Sequence, residues 1–201
     1  MKIIETNTAP NPRRVRIYLA EKKIDVEIEN IDLTGTKSQE FTALNPMQRV
    51  PILLLDDGTI ISETIAICRY LEVLNPEPSL FGRTAKEIAM IEMWQRRVEL
   101  GLFFHVAQVV RHLNPKMAPF EMPQVVDWGE ANRPKAMSEL EILDTQLGKA
   151  RYVAGDTYSV ADITALVAID FMRPARLNRP DTLTNLARWY EDVTSRPSTQ
   201  A

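Results

Sequence analysis

The chain has 201 residues, 45% of them hydrophobic and 25% charged, with a formal net charge of -3. That balance describes a globular protein of one large or two small domains. It excludes the strong positive field that would hold nucleic acid or an anionic membrane, and no apolar run approaches the length of a bilayer span.

KIIE (2–5) predicts a short strand, and RRVRIYLAEKK (13–23) an amphipathic helix with Val15, Tyr18 and Leu19 on one face. DVEIENID (25–32) alternates apolar and acidic residues, the pattern of a half-buried strand. SQEFTAL (38–44) reads as a helical turn. PILLLDDGTIIS (51–62) is two apolar runs around Asp57-Gly58, a hairpin signal. ETIAICRYLEVL (63–74) is a helix for which Ser62 is the expected N-cap. The first two strands and their crossover helix predict a parallel pair, to which the hairpin adds an antiparallel edge.

Composition changes near residue 75. NPEPSLFG (75–82) carries two prolines and a glycine and reads as a linker. Helical spacing follows at roughly 84–112, 122–149, 160–172 and 183–194. In YSVADI (158–163), Ser159 and Asp162 fit a capping box, and Tyr158 and Ile163 the two positions of a hydrophobic staple. The start, MKIIETNTAP, has neither the basic opening nor the long apolar stretch of a signal peptide, so a cytoplasmic protein is expected. The one cysteine, Cys68, agrees, since it permits neither an internal disulfide nor a CxxC redox pair. It lies on an apolar helix face with Ile65 and Leu71 and is expected to be an inert buried thiol.

Three stretches could carry chemistry. Pro51 in RVPIL (49–53) follows a polar loop and opens a strand. It is either a trans proline on a strand edge or a cis proline that turns the backbone NH and CO of Val50 toward an extended ligand. SET (62–64) opens a helix, where unpaired NH groups favour a carboxylate. Thr64 adds a hydroxyl and Glu63 an acceptor for an ammonium, so a zwitterionic amino-acid end would fit both; the plainer reading is that Ser62 and Glu63 cap the helix. TNTAPNPRRV (6–15) joins strand to helix with threonines, asparagines, prolines and arginines, but no cysteine, histidine or carboxylate.

Together these stretches resemble the soluble glutathione transferases. The match runs through TNTAPNPRRVRIYLAEKKI, ALNPMQRVPILLLDDGTIISETIAICRYLE, YVAGDTYSVADITALVAIDF and RWYEDVTSRPS, in order and over most of the chain. It is nearest the bacterial members close to the theta and nu classes. The resemblance implies an α/β thioredoxin-like N-terminal domain over 1–75, a linker over 76–83 and an all-α domain over 84–201. It implies glutathione as co-substrate, with no metal, and a homodimer. Val50 before Pro51 would pair its backbone with the cysteinyl part of glutathione. Glu63 and Thr64 would hold the γ-glutamyl end, and Arg49 or Lys37 the glycyl carboxylate.

No protein nucleophile is then needed, because glutathione brings its own sulfur. A free thiol titrates at about 8.5, and lowering that by two units takes roughly 2.7 kcal/mol of preferential stabilisation of the anion. Many relatives have a serine or cysteine six residues before the position of Val15; here that residue is Ala9, which can do neither task. Of the nu-class pattern Thr-Pro-Asn, Pro10-Asn11 is retained. Asn11 is therefore the first candidate for stabilising the thiolate and Thr8 the second, while the plainer reading of Asn11 is a turn residue between prolines. Arg13 and Arg14 are expected as solvated helix residues, one of which can add positive potential near the sulfur.

The second pocket is expected between this loop and the helix over 87–113, lined by Arg97, Phe104, His105 and, from a later helix, Met172; the plainer reading of such aromatic and Met positions is core packing. Its occupant would be a small hydrophobic electrophile, a disulfide or a peroxide. His105 and His112 could share a helix face, but no third metal ligand accompanies them. Two functions follow: a transferase whose thiolate attacks an electrophile or reduces a disulfide or peroxide, and, because of Ala9, a non-catalytic binding or scaffold protein of the same fold.

Overall fold

A computed structural model describes residues 1–201. The chain divides into two compact units, residues 1–79 with 200–201, and residues 80–199.

The first unit is built on a four-stranded mixed sheet. Its strands are β1 (Lys2–Glu5), β2 (Glu27–Asn30), β3 (Ile52–Leu54) and β4 (Ile60–Ser62), in the order β2-β1-β3-β4. β1 and β2 run parallel, with Lys2 opposite Glu27, as a right-handed crossover through one helix allows. β3 pairs antiparallel with both β1 and β4. Gly58 turns the β3–β4 hairpin at φ 87°, a conformation glycine adopts without steric cost; its N–H reaches the Leu55 carbonyl at 3.0 Å. The helices are α1 (Pro10–Lys22), α2 (Gln39–Leu44) and α3 (Thr64–Leu74). α2 is capped by Ser38, whose hydroxyl accepts from the Phe41 N–H at 3.0 Å. Val15, Tyr18 and Leu19 are buried as the helical spacing predicts. Ile4, Phe41, Val50 and Ile52 form one core cluster, on which Ile31, Leu44 and Ile60 pack.

The expected half-buried strand differs in one respect. All four residues of β2 are exposed, and Ile28 retains 39% of its accessible surface. β2 is an edge strand, and the inward apolar residue of the segment is Ile31, one position beyond its end.

The second unit is helical: α4 (Ala85–Arg97), α5 (Phe104–Leu113), α6 (Val126–Leu147), α7 (Val160–Asp170) and α8 (Thr184–Thr194). The pattern over 84–112 predicts one continuous helix, but a π-helical segment, Val98–Phe103, interrupts it. Apolar residues keep their spacing through the segment, so periodicity does not reveal it. α7 is the centre of this unit. Every residue from Val160 to Ile169 is buried, as befits a helix apolar on all sides. At its start the Ser159 N–H and hydroxyl both donate to Asp162, at 2.9 and 3.1 Å. The Val153 N–H and Trp189 Nε1 donate to the same carboxylate at 2.9 and 2.8 Å. No helix is long and apolar enough to cross a membrane.

Candidate active site

The loop after β1 is braced from behind. Arg16 Nη1 donates to Glu5 Oε1 at 2.5 Å and Nη2 to the Asn7 carbonyl at 3.3 Å. The Ala9 N–H reaches the Thr6 carbonyl at 3.4 Å. Thr6 is buried and Thr8 exposed, with their hydroxyl oxygens 3.4 Å apart. Ala9 occupies the cap position of α1 in extended conformation, φ -92° and ψ 148°, and supplies no side-chain cap. Pro10 and Pro12 have no N–H. Of the first three helical positions, only Asn11 therefore brings a backbone donor, and it brings a side-chain amide as well.

α3 also opens without a side-chain cap. Ser62 belongs to β4, and the residue at the cap position is Glu63, so the expected Ser62 cap does not form. Glu63 holds φ 70° and ψ 119°, outside the conformations an L residue prefers. Its side chain is exposed, while Thr64 behind it is 5% exposed.

Arg14 joins these two helix starts. The solvated arginine expected from sequence is instead 4% exposed. Its Nη2 donates to Asn11 Oδ1 at 2.9 Å and to Thr64 Oγ1 at 2.8 Å. The physical reason for burial is a polar seam. Arg14, Tyr18 and Lys22 recur every fourth residue on α1, and Thr64, Cys68 and Glu72 do so on α3. Tyr18 Oη and Lys22 Nζ both donate to Glu72 Oε2, at 2.5 and 2.8 Å. Cys68 sits between them, 1% exposed, and burial pushes its thiol up to about 12. It is not a nucleophile at neutral pH.

The Val50–Pro51 bond is cis. Val50 lies just outside β3, and neither its N–H nor its C=O is bonded to another backbone group. The preceding turn is fixed by buried Asn45, whose Nδ2 donates to the Arg49 carbonyl at 2.8 Å. The Arg49 and Lys37 side chains are exposed. Asn45 carries no signal in the sequence, whereas Arg14 reads there as a solvated helix residue. The every-fourth spacing of Arg14 with Tyr18 was the available signal for the second.

In the helical unit a cleft of about 580 Å³ lies along the π-helical segment and is lined by Trp94, Arg97, His105, Glu139 and Ile142, among others. Arg97 stacks on Trp94 at 4.9 Å. His105 Nδ1 lies 2.6 Å from Asn132 Oδ1, and Asn132 Nδ2 donates to the Trp128 carbonyl. That fixes the Asn132 oxygen as acceptor, so His105 Nδ1 carries a proton and donates it. Arg97 and His105 thus share a cleft. Phe104 is exposed and stacks edge-on against His105, Met172 is buried at 3%, and neither lines the cleft. His112 Nδ1 accepts from the Val125 N–H at 3.0 Å, and no cluster of His, Cys, Asp or Glu is arranged to hold a metal ion.

Residues 8–74 match the glutathione S-transferase N-terminal domain, and residues 103–197 match the glutathione S-transferase C-terminal domain. The chain belongs to the glutathione S-transferase family. Glutathione S-transferase 2 of Saccharomyces cerevisiae is 37% identical over 98% of this chain and 87% of its own length. A glutathione S-transferase domain-containing protein from Marinobacter aquaeolei superposes with a TM-score of 0.95 at 39% identity, covering 99% of this chain and 100% of that one. The crystal structure of Gtt2 from Saccharomyces cerevisiae gives 0.94 at 38% identity, covering 100% of this chain and 99% of that one. The architecture is that of a glutathione S-transferase: a thioredoxin-like domain on a four-stranded sheet, followed by a helical domain.

Proposed function

We propose that the chain is a glutathione transferase that binds glutathione on its N-terminal unit and uses the bound thiolate. The observation that carries the reading is the meeting of two uncapped helix starts, α1 at Asn11 and α3 at Thr64, through one arginine. An uncapped helix start offers N–H donors and a partial positive charge to an anion. The start of α3, with Thr64 and Glu63, suits the carboxylate and ammonium of a γ-glutamyl group. The unpaired backbone of Val50 suits the extended cysteinyl segment. Exposed Arg49 and Lys37 are the cations proposed for the glycyl carboxylate.

Asn11 is the proposed thiolate donor. An amide has no useful basicity, so it stabilises the anion after the proton has left to water. The sulfur then attacks an electrophilic carbon and expels its leaving group, or attacks a disulfide or peroxide and releases a thiolate or an alkoxide. The Arg97–His105 cleft is the proposed place for the second substrate. Homodimer assembly and a cytoplasmic setting, both usual in the family, complete the reading.

A second reading is a binding module, and it rests on Ala9, where the expected hydroxyl is absent. Calorimetric titration with glutathione, followed by turnover with a chloronitroaromatic electrophile and with a glutathione-disulfide exchange substrate, separates the two. Binding with turnover of either substrate supports the enzyme; binding without turnover selects the module. Absence of glutathione binding would sink the transferase reading.

A further inference from the structure

We propose that Arg14 is the positioning residue of the glutathione site, a buried fork whose single Nη2 group sets Asn11 and Thr64 at once as hydrogen-bond donors toward the ligand. The inference rests on the preceding assignment of Asn11 as thiolate donor.

A guanidinium donates and never accepts. Whatever it contacts must present an acceptor, so the Asn11 atom 2.9 Å from Nη2 is the carbonyl oxygen. The amide NH2 then points away with both its protons to offer. Were the amide reversed, an NH2 group would face the guanidinium and the oxygen would face the sulfur, where it would repel a thiolate. The same logic applies to Thr64. Its oxygen accepts from Arg14 at 2.8 Å, which leaves its hydroxyl proton to be donated elsewhere. Nη2 carries two protons, one for each acceptor.

The position of Arg14 makes the device rigid. The residue is 4% exposed and stands one turn into α1, while Thr64 is the first residue of α3. Fifty residues separate the bonded pair in sequence. With Ala9 giving α1 no side-chain cap and prolines at positions 10 and 12, nothing else in the helix start fixes the Asn11 amide. A charge-assisted bond to a buried guanidinium holds it in one rotamer and polarises its NH2.

The test reads the ionisation of bound glutathione, a quantity that packing alone does not set. The ultraviolet absorbance of the thiolate in the binary complex is followed against pH for the unaltered protein, Arg14→Met, Asn11→Ala and the double variant. The expected result is a rise of about one unit in the bound thiol for each single variant, with about tenfold slower turnover at neutral pH. The double variant is expected to move no further than either single, because both remove the same donor. Rates should converge at alkaline pH, where the thiol ionises unaided. The KM for glutathione should also rise for Arg14→Met, through the loss of the Thr64 arm.

If Arg14→Met does not fold, Arg14→Lys is measured instead. A compact ammonium cannot hold the planar fork, and the same upward shift is expected. Asn11→Ala shifting the thiol while the Arg14 variant leaves it in place would overturn the positioning role and keep the reading of Asn11. No shift in Asn11→Ala would overturn both. A change confined to thermal stability would show Arg14 to be structural.

Discussion

Two kinds of helix start stand in this chain. At the start of α7 the chain's own donors converge on one side chain: Asp162, wholly buried, accepts from Val153, from Ser159 twice and from Trp189. At the starts of α1 and α3 no side chain caps the helix, although Thr8 precedes the first and Ser62 and Glu63 the second. Lack of a cap is not itself the distinction, because α6 and α8 also open without one, at Val125 and Leu183. What sets α1 and α3 apart is that the first polar side chain of each is drawn to a common buried cation. A helix start completed by its own chain stabilises the fold. One held open, with its side chains drawn to a neighbour, is the kind we propose receives glutathione.

The largest expected effect tests the closed start. Asp162→Ala would leave two backbone N–H groups and the Trp189 indole without an acceptor in a dry interior. The loss should be about 3 kcal/mol, a fall in Tm of roughly 6–12 °C for a chain of this size. Glutathione affinity, measured below the transition, should not change. Weakened binding by the folded variant would show that the closed start also serves the site.

The same carboxylate gives a pH dependence of defined sign. Burial pushes Asp162 up to about 6, against the downward pull of its four donors. In an unfolded chain aspartate titrates at about 3.9. Between these values the folded protein holds a proton that the unfolded chain has lost. The contribution is complete below the lower value and declines by about 1.4 kcal/mol per unit as pH rises to the upper one. Denaturant melts of the unaltered protein and Asp162→Asn, compared from pH 4 to pH 7, should show the unaltered protein losing ground up to about pH 6 and then levelling. A relative gain over that window would mean that the four donors outweigh burial.

Glu63 tests the open start. Its φ of 70° suits glycine, so Glu63→Gly should keep or raise Tm. Loss of the carboxylate partner for an ammonium should nevertheless raise the KM for glutathione about tenfold, equivalent to about 1.4 kcal/mol. A lower Tm with unchanged KM would make Glu63 a folding residue and erase the contrast with α7.

Much of this contrast is legible in the residues themselves, and what escapes does so for physical reasons. The short run at 2–5, the Asp57-Gly58 turn and the Ser159–Asp162 box are local signals, and local signals survive folding. The π-helical interruption at Val98–Phe103 is not legible, because it changes hydrogen bonding without breaking the apolar spacing. Arg14 escapes for a different reason. A cation beside another cation in a helix reads as solvated, and one of the partners that receive it in burial stands fifty residues away. Asn11 stands out through family likeness, since an asparagine between two prolines is by pattern alone a turn residue.

The smallest effect asks whether the open start of α1 can be closed. Ala9 already has the extended backbone of a cap residue. In Ala9→Ser the new oxygen has one backbone donor within the usual capping reach, the N–H of Asn11, because Pro12 at the next position has none. The cap should contribute about 1 kcal/mol, a rise in Tm of roughly 2–4 °C. Its hydroxyl proton would remain available, yet the Asn11 amide is already aimed by Arg14. The bound thiol is therefore expected to fall by less than about half a unit. A fall of a full unit or more would place the sulfur beside residue 9 and move the donor assignment there. An unchanged Tm would mean that the Asn11 N–H faces away from residue 9, and that the start of α1 is held open by geometry and not merely by the lack of a hydroxyl.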